Sequence, residues 1–179
     1  MILKIVQVGA KVLRENAAEV DPSRIKTPAF GQLIEMMRAT MLDAPGVGLA
    51  APQVGVGLRV AVIEDRAETI ALAPPEEVAK KDRRPVPFHV IINPTLTVVD
   101  ATDATFVEGC LSVTGFAAEV SRAKAVQVKA LDHTGAPVTI DAQGWYARIL
   151  QHEIDHLNGN LYIDRMNTRT FFNTAFHTR

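Results

Sequence analysis

Gln151-His152-Glu153-Ile154-Asp155-His156-Leu157-Asn158-Gly159 is the stretch around which the rest of the chain can be read. Upstream of it Trp145 and Ile149 keep step with His152 and His156 at spacings of three and four, with Leu150, Ile154 and Leu157 beside them. That recurrence predicts a helix over residues 143–158, stopped by the Asn158-Gly159 pair. Positions four apart on a helix differ by only ~40° around its axis. His152 and His156 therefore leave one face together and can share one cation. Glu153, turned by ~100°, can reach a water on that cation but is poorly placed to bind it. The bland alternative is two histidines on a solvated helix face with a charged neighbour.

The elements before this helix set the fold class. Thr27-Pro28 reads as an N-cap followed by proline at the first helical position, and Phe30, Leu33, Ile34, Met37, Met41 and Leu42 recur with helical spacing. A helix over residues 28–43 follows. Residues 45–53, rich in glycine and bounded by Pro45 and Pro52, read as a loop, and residues 58–64 as a strand. Residues 73–87 carry four prolines and a mixed-charge run, and read as an exposed insertion with a solvated loop at 76–84. Residues 89–92 and 96–99 read as two strands punctuated by Asn93-Pro94. Residues 125–131 and 137–141 form a hairpin around Asp132-His133-Thr134-Gly135. Strands and helices do not alternate regularly, so the expectation is α+β, with antiparallel sheets packed around a central helix that carries the H-E-x-x-H motif.

The 179 residues are 47% hydrophobic and 22% charged, with a formal net charge of −1. The length suits one domain over residues 1–179, and the composition excludes a disordered or collagen-like chain. The balanced charge gives no reason to expect DNA or an anionic membrane as partner. No segment reaches the roughly 18 apolar residues that span a bilayer. The first residues lack a basic stretch followed by a long apolar core, so a bacterial cytoplasm is expected in preference to an organelle.

Two histidines need a further ligand. Downstream of His156 there is no glutamate, and the only other histidine is His177. The attractive upstream donor is the single cysteine, Cys110, within the short strand-like stretch Glu108-Gly109-Cys110-Leu111-Ser112-Val113. A lone cysteine is more often a small buried hydrophobe, and a nucleophile activated by His152 is a further alternative. A Cys, His, His set would leave a fourth tetrahedral position for water.

Three stretches in this order make the chain resemble the peptide deformylases: Gly46-Val47-Gly48-Leu49-Ala50-Ala51-Pro52-Gln53, Glu108-Gly109-Cys110-Leu111-Ser112, and the 151–159 stretch. The resemblance also takes in Val12-Leu13-Arg14 and the 126–141 hairpin. It implies an enzyme that removes the formyl group from the N-terminal methionine of new polypeptides. It assigns Cys110, His152 and His156 to a divalent ion, natively ferrous iron, for which zinc, nickel or cobalt can substitute. It further implies that hydroxide formed at the ion attacks the formyl carbon, with Glu153 as general acid/base and Gln53 and the Leu111 N–H as oxyanion donors. Val47, Gly48 and Gly109 would contact the peptide backbone, with Leu111 and Ile149 as walls of the methionine pocket and Trp145 a weaker candidate. Formyl-methionyl nascent peptides are the implied partners, with a transient ribosome contact through Arg165, Arg169 and Arg179 as a lesser expectation.

Some residues depart from the family pattern or lie outside it. Thr114 stands where many relatives have proline, Ala117 where others have a substrate-contacting arginine, and Arg148 where others have an aliphatic residue. Gly115-Phe116-Ala117-Ala118-Glu119 resembles the subclass of organelles and some bacteria. The 73–87 insertion is non-standard, and a short C-terminal helix is expected. Arg122 is the suggested partner of Glu108, and Asp155 is read equally as orienting a histidine or lying on the helix surface. Other readings are an H-E-x-x-H endopeptidase and a non-catalytic, metal-stabilised peptide-binding module. A dinucleotide fingerprint at Gly46-x-Gly48 is disfavoured by Pro52.

Overall fold

The computed structural model describes residues 1–176. It contains six strands: β1 (Gly48–Ala50), β2 (Val60–Asp65), β3 (Val86–Gly109), β4 (Phe116–Leu131), β5 (Pro137–Gln143) and β6 (Phe172–Asn173). The helices are α1 (Pro22–Ile25), α2 (Pro28–Asp43), α3 (Ala67–Ile70), α4 (Pro75–Lys80) and α5 (Gly144–Leu157). All six strands join one antiparallel sheet in the order β1-β2-β3-β4-β5, with β6 added beside β4. The mixed α+β class is as expected, but there is one sheet where several were expected.

The helix expected over 28–43 is α2, and the Thr27 hydroxyl accepts from the Phe30 N–H at its start. Its Phe30, Ile34, Met37 and Met41 pack on Val60 and Val62 of β2 and Val90 and Ile92 of β3. The alternate residues, Ala61, Ile63 and Ile91, pack instead with Ile149, Leu150, Ile154 and Leu157 of α5. β2 is thus buried on both faces, which is why its first four residues, Val60–Ile63, form a continuous apolar run and do not alternate. Burying each large side chain fully contributes about 1.5–3 kcal/mol, so the first cluster fixes α2 and the second fixes α5, on opposite faces of β2.

The two strands expected at 89–92 and 96–99 are a single strand. β3 bends where the register with β4 shifts between Ile92 and Thr95. Asn93 takes a positive φ of 51° and its side chain bonds both the N–H and the carbonyl of Val20. The bulge removes Pro94 from the ladder, so its missing N–H costs no strand pairing.

The 73–87 insertion is exposed but not a loop throughout, since Pro75–Lys80 forms α4 and Arg83 is fixed to Asp65 by two hydrogen bonds of 2.8 and 2.9 Å. The expected C-terminal helix is replaced, among the described residues, by a 3₁₀ turn at Thr168–Thr170 and by β6. His177 and Arg179 lie outside the described residues. None of the described helices is long and apolar enough to cross a membrane.

Candidate metal centre and active site

α5 presents two stripes of side chains. Ile149, Glu153 and His156 form one, and Arg148, His152 and Asp155 the other, each at positions i, i+4 and i+7. The thiol of Cys110 faces the histidines from the end of β3. Its segment is not strand-like as expected, since β3 stops at Gly109 and residues 110–112 turn. The turn aims Sγ at His156 Nε2, 3.3 Å away, and His156 Nε2 lies 3.2 Å from His152 Nε2. The three ligand atoms all lie within 4.8 Å of one another.

This set fits a divalent cation. Glu108 Oε2 accepts from His152 Nδ1 at 3.0 Å, which leaves Nε2 as the lone-pair atom facing the thiol. The Ser112 N–H donates to Sγ at 3.4 Å, which helps hold the sulfur in this direction. Three such donors converging on one point repel one another unless a positive charge lies between them.

The charges around the centre are strongly displaced. Burial alone would raise Glu108, but His152 and Arg122 hold its carboxyl far below the carboxylate range. Burial opposes charge on His152, yet Cys110 and Glu108 raise it well above an ordinary imidazole; burial pushes His156 well below one. Burial also pushes the Glu153 carboxyl up to about 7. Glu153 Oε2 is buried with no hydrogen-bond partner among the described residues.

The centre opens into a cavity of about 430 Å³ lined on one side by Pro45–Gly48 and on the other by residues 107–111. Val47, Gly48, Gly109, Leu111 and Ile149, the five expected substrate contacts, all line it, and so do Gln53 and Glu153. Gln53 is 2% exposed. Its Oε1 accepts from the Ala50 N–H at 2.9 Å, so its amide nitrogen is turned to Cys110 Sγ (3.6 Å) and Ser112 Oγ (3.4 Å). Trp145 also lines the cavity and is not simply core.

The remaining charged residues differ from expectation in part. Arg122 does bind Glu108, at 2.6 and 2.9 Å. Asp155 is neither a surface group nor a histidine's partner: it is buried and accepts from Arg122 at 2.8 Å and twice from Arg165 at 2.7 Å. Arg165 is therefore ion-paired with Asp155, although its side chain is half exposed.

Gln7 escaped the sequence reading, and Arg148 was marked there only as a departure from the family pattern. Gln7 Nε2 donates to the Leu111 carbonyl at 3.0 Å while its Oε1 accepts from the Thr114 N–H at 3.2 Å, clasping the turn after Cys110. Arg148 is 4% exposed and donates to Glu108 Oε1 at 2.5 Å. Its departure from the aliphatic residue of other family members was legible in the sequence; its bond to Glu108 was not.

A single antiparallel sheet packed between two helices, with a thiol and two imidazoles converging beside a buried carboxyl, defines a candidate mononuclear metalloprotein with a peptide-sized groove. Comparison with known proteins makes this specific. A family model described as polypeptide deformylase matches residues 2–171. The chain is 49% identical to "Peptide deformylase 1A, chloroplastic/mitochondrial" of Arabidopsis thaliana, over 94% of this chain and 62% of that one. It is also 49% identical to "Peptide deformylase 3" of Streptomyces avermitilis, over 94% of this chain and 73% of that one. A Met-ala-ser bound crystal structure of a class I type b peptide deformylase from Acinetobacter baumannii matches with a TM-score of 0.82 and 35% identity, over 93% of this chain and 99% of that one. The chain belongs to the polypeptide deformylase family. It spans about three fifths of the length of the two plant relatives it matches, 62% and 60%.

Proposed function

We propose that residues 1–179 act as one catalytic domain that hydrolyses the formyl amide at the N-terminal methionine of newly made polypeptides. The observation that carries this reading is the convergence, on one groove, of the Cys110, His152 and His156 ligand atoms with Glu153 and the Gln53 amide. A divalent ion on those ligands would supply an acidified water and a Lewis acid for the formyl oxygen. Ferrous iron is the proposed occupant; zinc, nickel and cobalt suit the same donors.

The chain's own groups supply the rest. Glu153, pushed up to about 7 by burial, can take a proton from the attacking water and return it to the departing amine near neutral pH. Gln53 Nε2, anchored through its Oε1, and the Leu111 N–H would donate to the oxygen that gains charge as the formyl carbon becomes tetrahedral. Val47 and Gly48 on one wall and Gly109 on the other would pair with peptide backbone, giving tolerance of varied sequences after the first residue. Leu111 and Ile149, with Trp145, would enclose the methionine side chain.

The test is formate release from formyl-Met-Ala-Ser by protein loaded anaerobically with ferrous iron. Turnover is expected, and it should stop with a chelator, as a Cys110 nucleophile would not. Iron-loaded protein that releases no formate sinks the proposal.

A further inference from the structure

Glu108 is the most heavily bonded carboxylate in the described protein. Its Oε1 accepts from Arg122 Nε and Arg148 Nη1, and its Oε2 from Arg122 Nη2 and His152 Nδ1. Arg122 comes from β4. Arg148 and His152 come from α5, one turn apart on the same stripe, and they bind opposite oxygens of Glu108. The helix thus grips the carboxylate at two points, and the His152 ring is oriented by a group that the same helix fixes.

We infer that Arg148 is a positioning residue for His152, acting through Glu108. A carboxylate held by four donors cannot rotate, so the His152 Nδ1 bond keeps one direction and Nε2 stays aimed at the point shared with Cys110 and His156. Arg122 alone leaves Oε1 with one donor, and of the groups of α5 only His152 would then bond the carboxylate directly. Arg148 also donates to the carbonyls of Val120, at 3.0 Å, and Ala104, and its guanidinium lies 5.2 Å from the Phe106 ring. These contacts hold it between helix and sheet, so its bond to Glu108 is preset and does not depend on a flexible side chain finding its partner. Groups behind a metal-ligating histidine commonly change metal affinity by 10–100-fold. The inference rests on the proposed ligand set of Cys110, His152 and His156.

The test measures Co²⁺ binding by competition with a chelator, together with the absorption bands of the Co²⁺ protein, on wild type and on Arg148→Met, Arg148→Gln, Arg148→Lys and Arg165→Met. Met and Gln should each weaken Co²⁺ binding at least 10-fold and shift the ligand-field bands. Gln keeps the result readable should Met fail to fold. Lys restores a cation on Glu108 but cannot serve all three acceptors, so near-wild-type affinity in that variant separates positioning from a purely structural staple. Arg165→Met removes a pair from Asp155 without touching Glu108 and should bind Co²⁺ as wild type. The inference is overturned if Met or Gln binds within twofold of wild type with unchanged bands, or if Lys binds no better than Gln. If wild type itself shows no thiolate-to-cobalt band, the ligand set has failed, and the inference with it.

Discussion

Glu153 occupies the space that a side chain at Gly48 would need: a Cβ there would fall 2.3 Å from Glu153 Oε1 and 2.6 Å from its Cδ. Position 48 is therefore glycine because the carboxyl is pressed against the chain, a reason separate from the approach of a peptide. Gly48→Ala should fold, since the clashing atoms end a flexible side chain, yet displace the carboxyl. General acid–base catalysis contributes ~10²–10⁴-fold, so kcat should drop by about that range with little change in Tm. Full activity in Gly48→Ala would remove Glu153 from its assigned role.

Gln53 combines an anchored carbonyl oxygen with an amide nitrogen aimed at the thiol. Gln53→Leu removes the donor and should lower kcat about 10²–10³-fold, with KM nearly unchanged, because the lost bond strengthens only as charge develops. Steady-state kinetics on formyl-Met-Ala-Ser decide it. A rise in KM alone would place Gln53 in ground-state binding instead.

Removal of the ion should abolish activity without unfolding the chain. Glu108 still orients His152, and the two apolar clusters on either side of β2 do not involve the ligands. Re-adding a divalent ion at about 100 times its Kd should restore turnover and stabilise the fold by about 2.7 kcal/mol. Chemical denaturation with and without chelator measures the difference. An unfolded apoprotein would mean the ion is structural.

His89 gives the stability its own dependence on pH. Burial lowers its pKa from the ordinary 6.5, partly offset by the Pro87 carbonyl, which its Nδ1 bonds at 2.9 Å; Nε2 lies 2.9 Å from the Tyr146 hydroxyl. The unfolded chain therefore takes up the proton first as pH falls below about 6.5, and stability declines with it. Urea midpoints at pH 7.5 and 5 should differ less in His89→Gln than in wild type. Equal shifts in the two proteins would assign the effect to other groups.

Local signals account for much of this structure. α2 was legible because its apolar period, Thr27 cap and Pro28 agree, and α5 because its apolar residues and histidines share one period. β3 was not, because Asn93-Pro94 reads as an end when the chain can absorb proline in a bulge. The shared face of His152 and His156, the proposed ligands, could be placed by helix geometry alone. Cys110 could not, since its approach depends on a turn closed by Gln7, 103 positions earlier. The grip of Arg148 on Glu108 joins residues 40 positions apart, and no short-range pattern reports such a pairing.

The Gln7 clasp belongs to a wider brace. The N–H of Val6 bonds the Gln53 carbonyl at 2.9 Å and that of Val8 bonds the Ser112 carbonyl at 2.7 Å. Residues 6–8 thus tie the two walls of the groove together at one end, like the spring of a clothes peg. The spacing between the Gln53 amide and the Cys110 turn is set by a segment that takes no part in the chemistry. Changes at residues 6–8 would then alter the gape of the site and leave every reacting group in place.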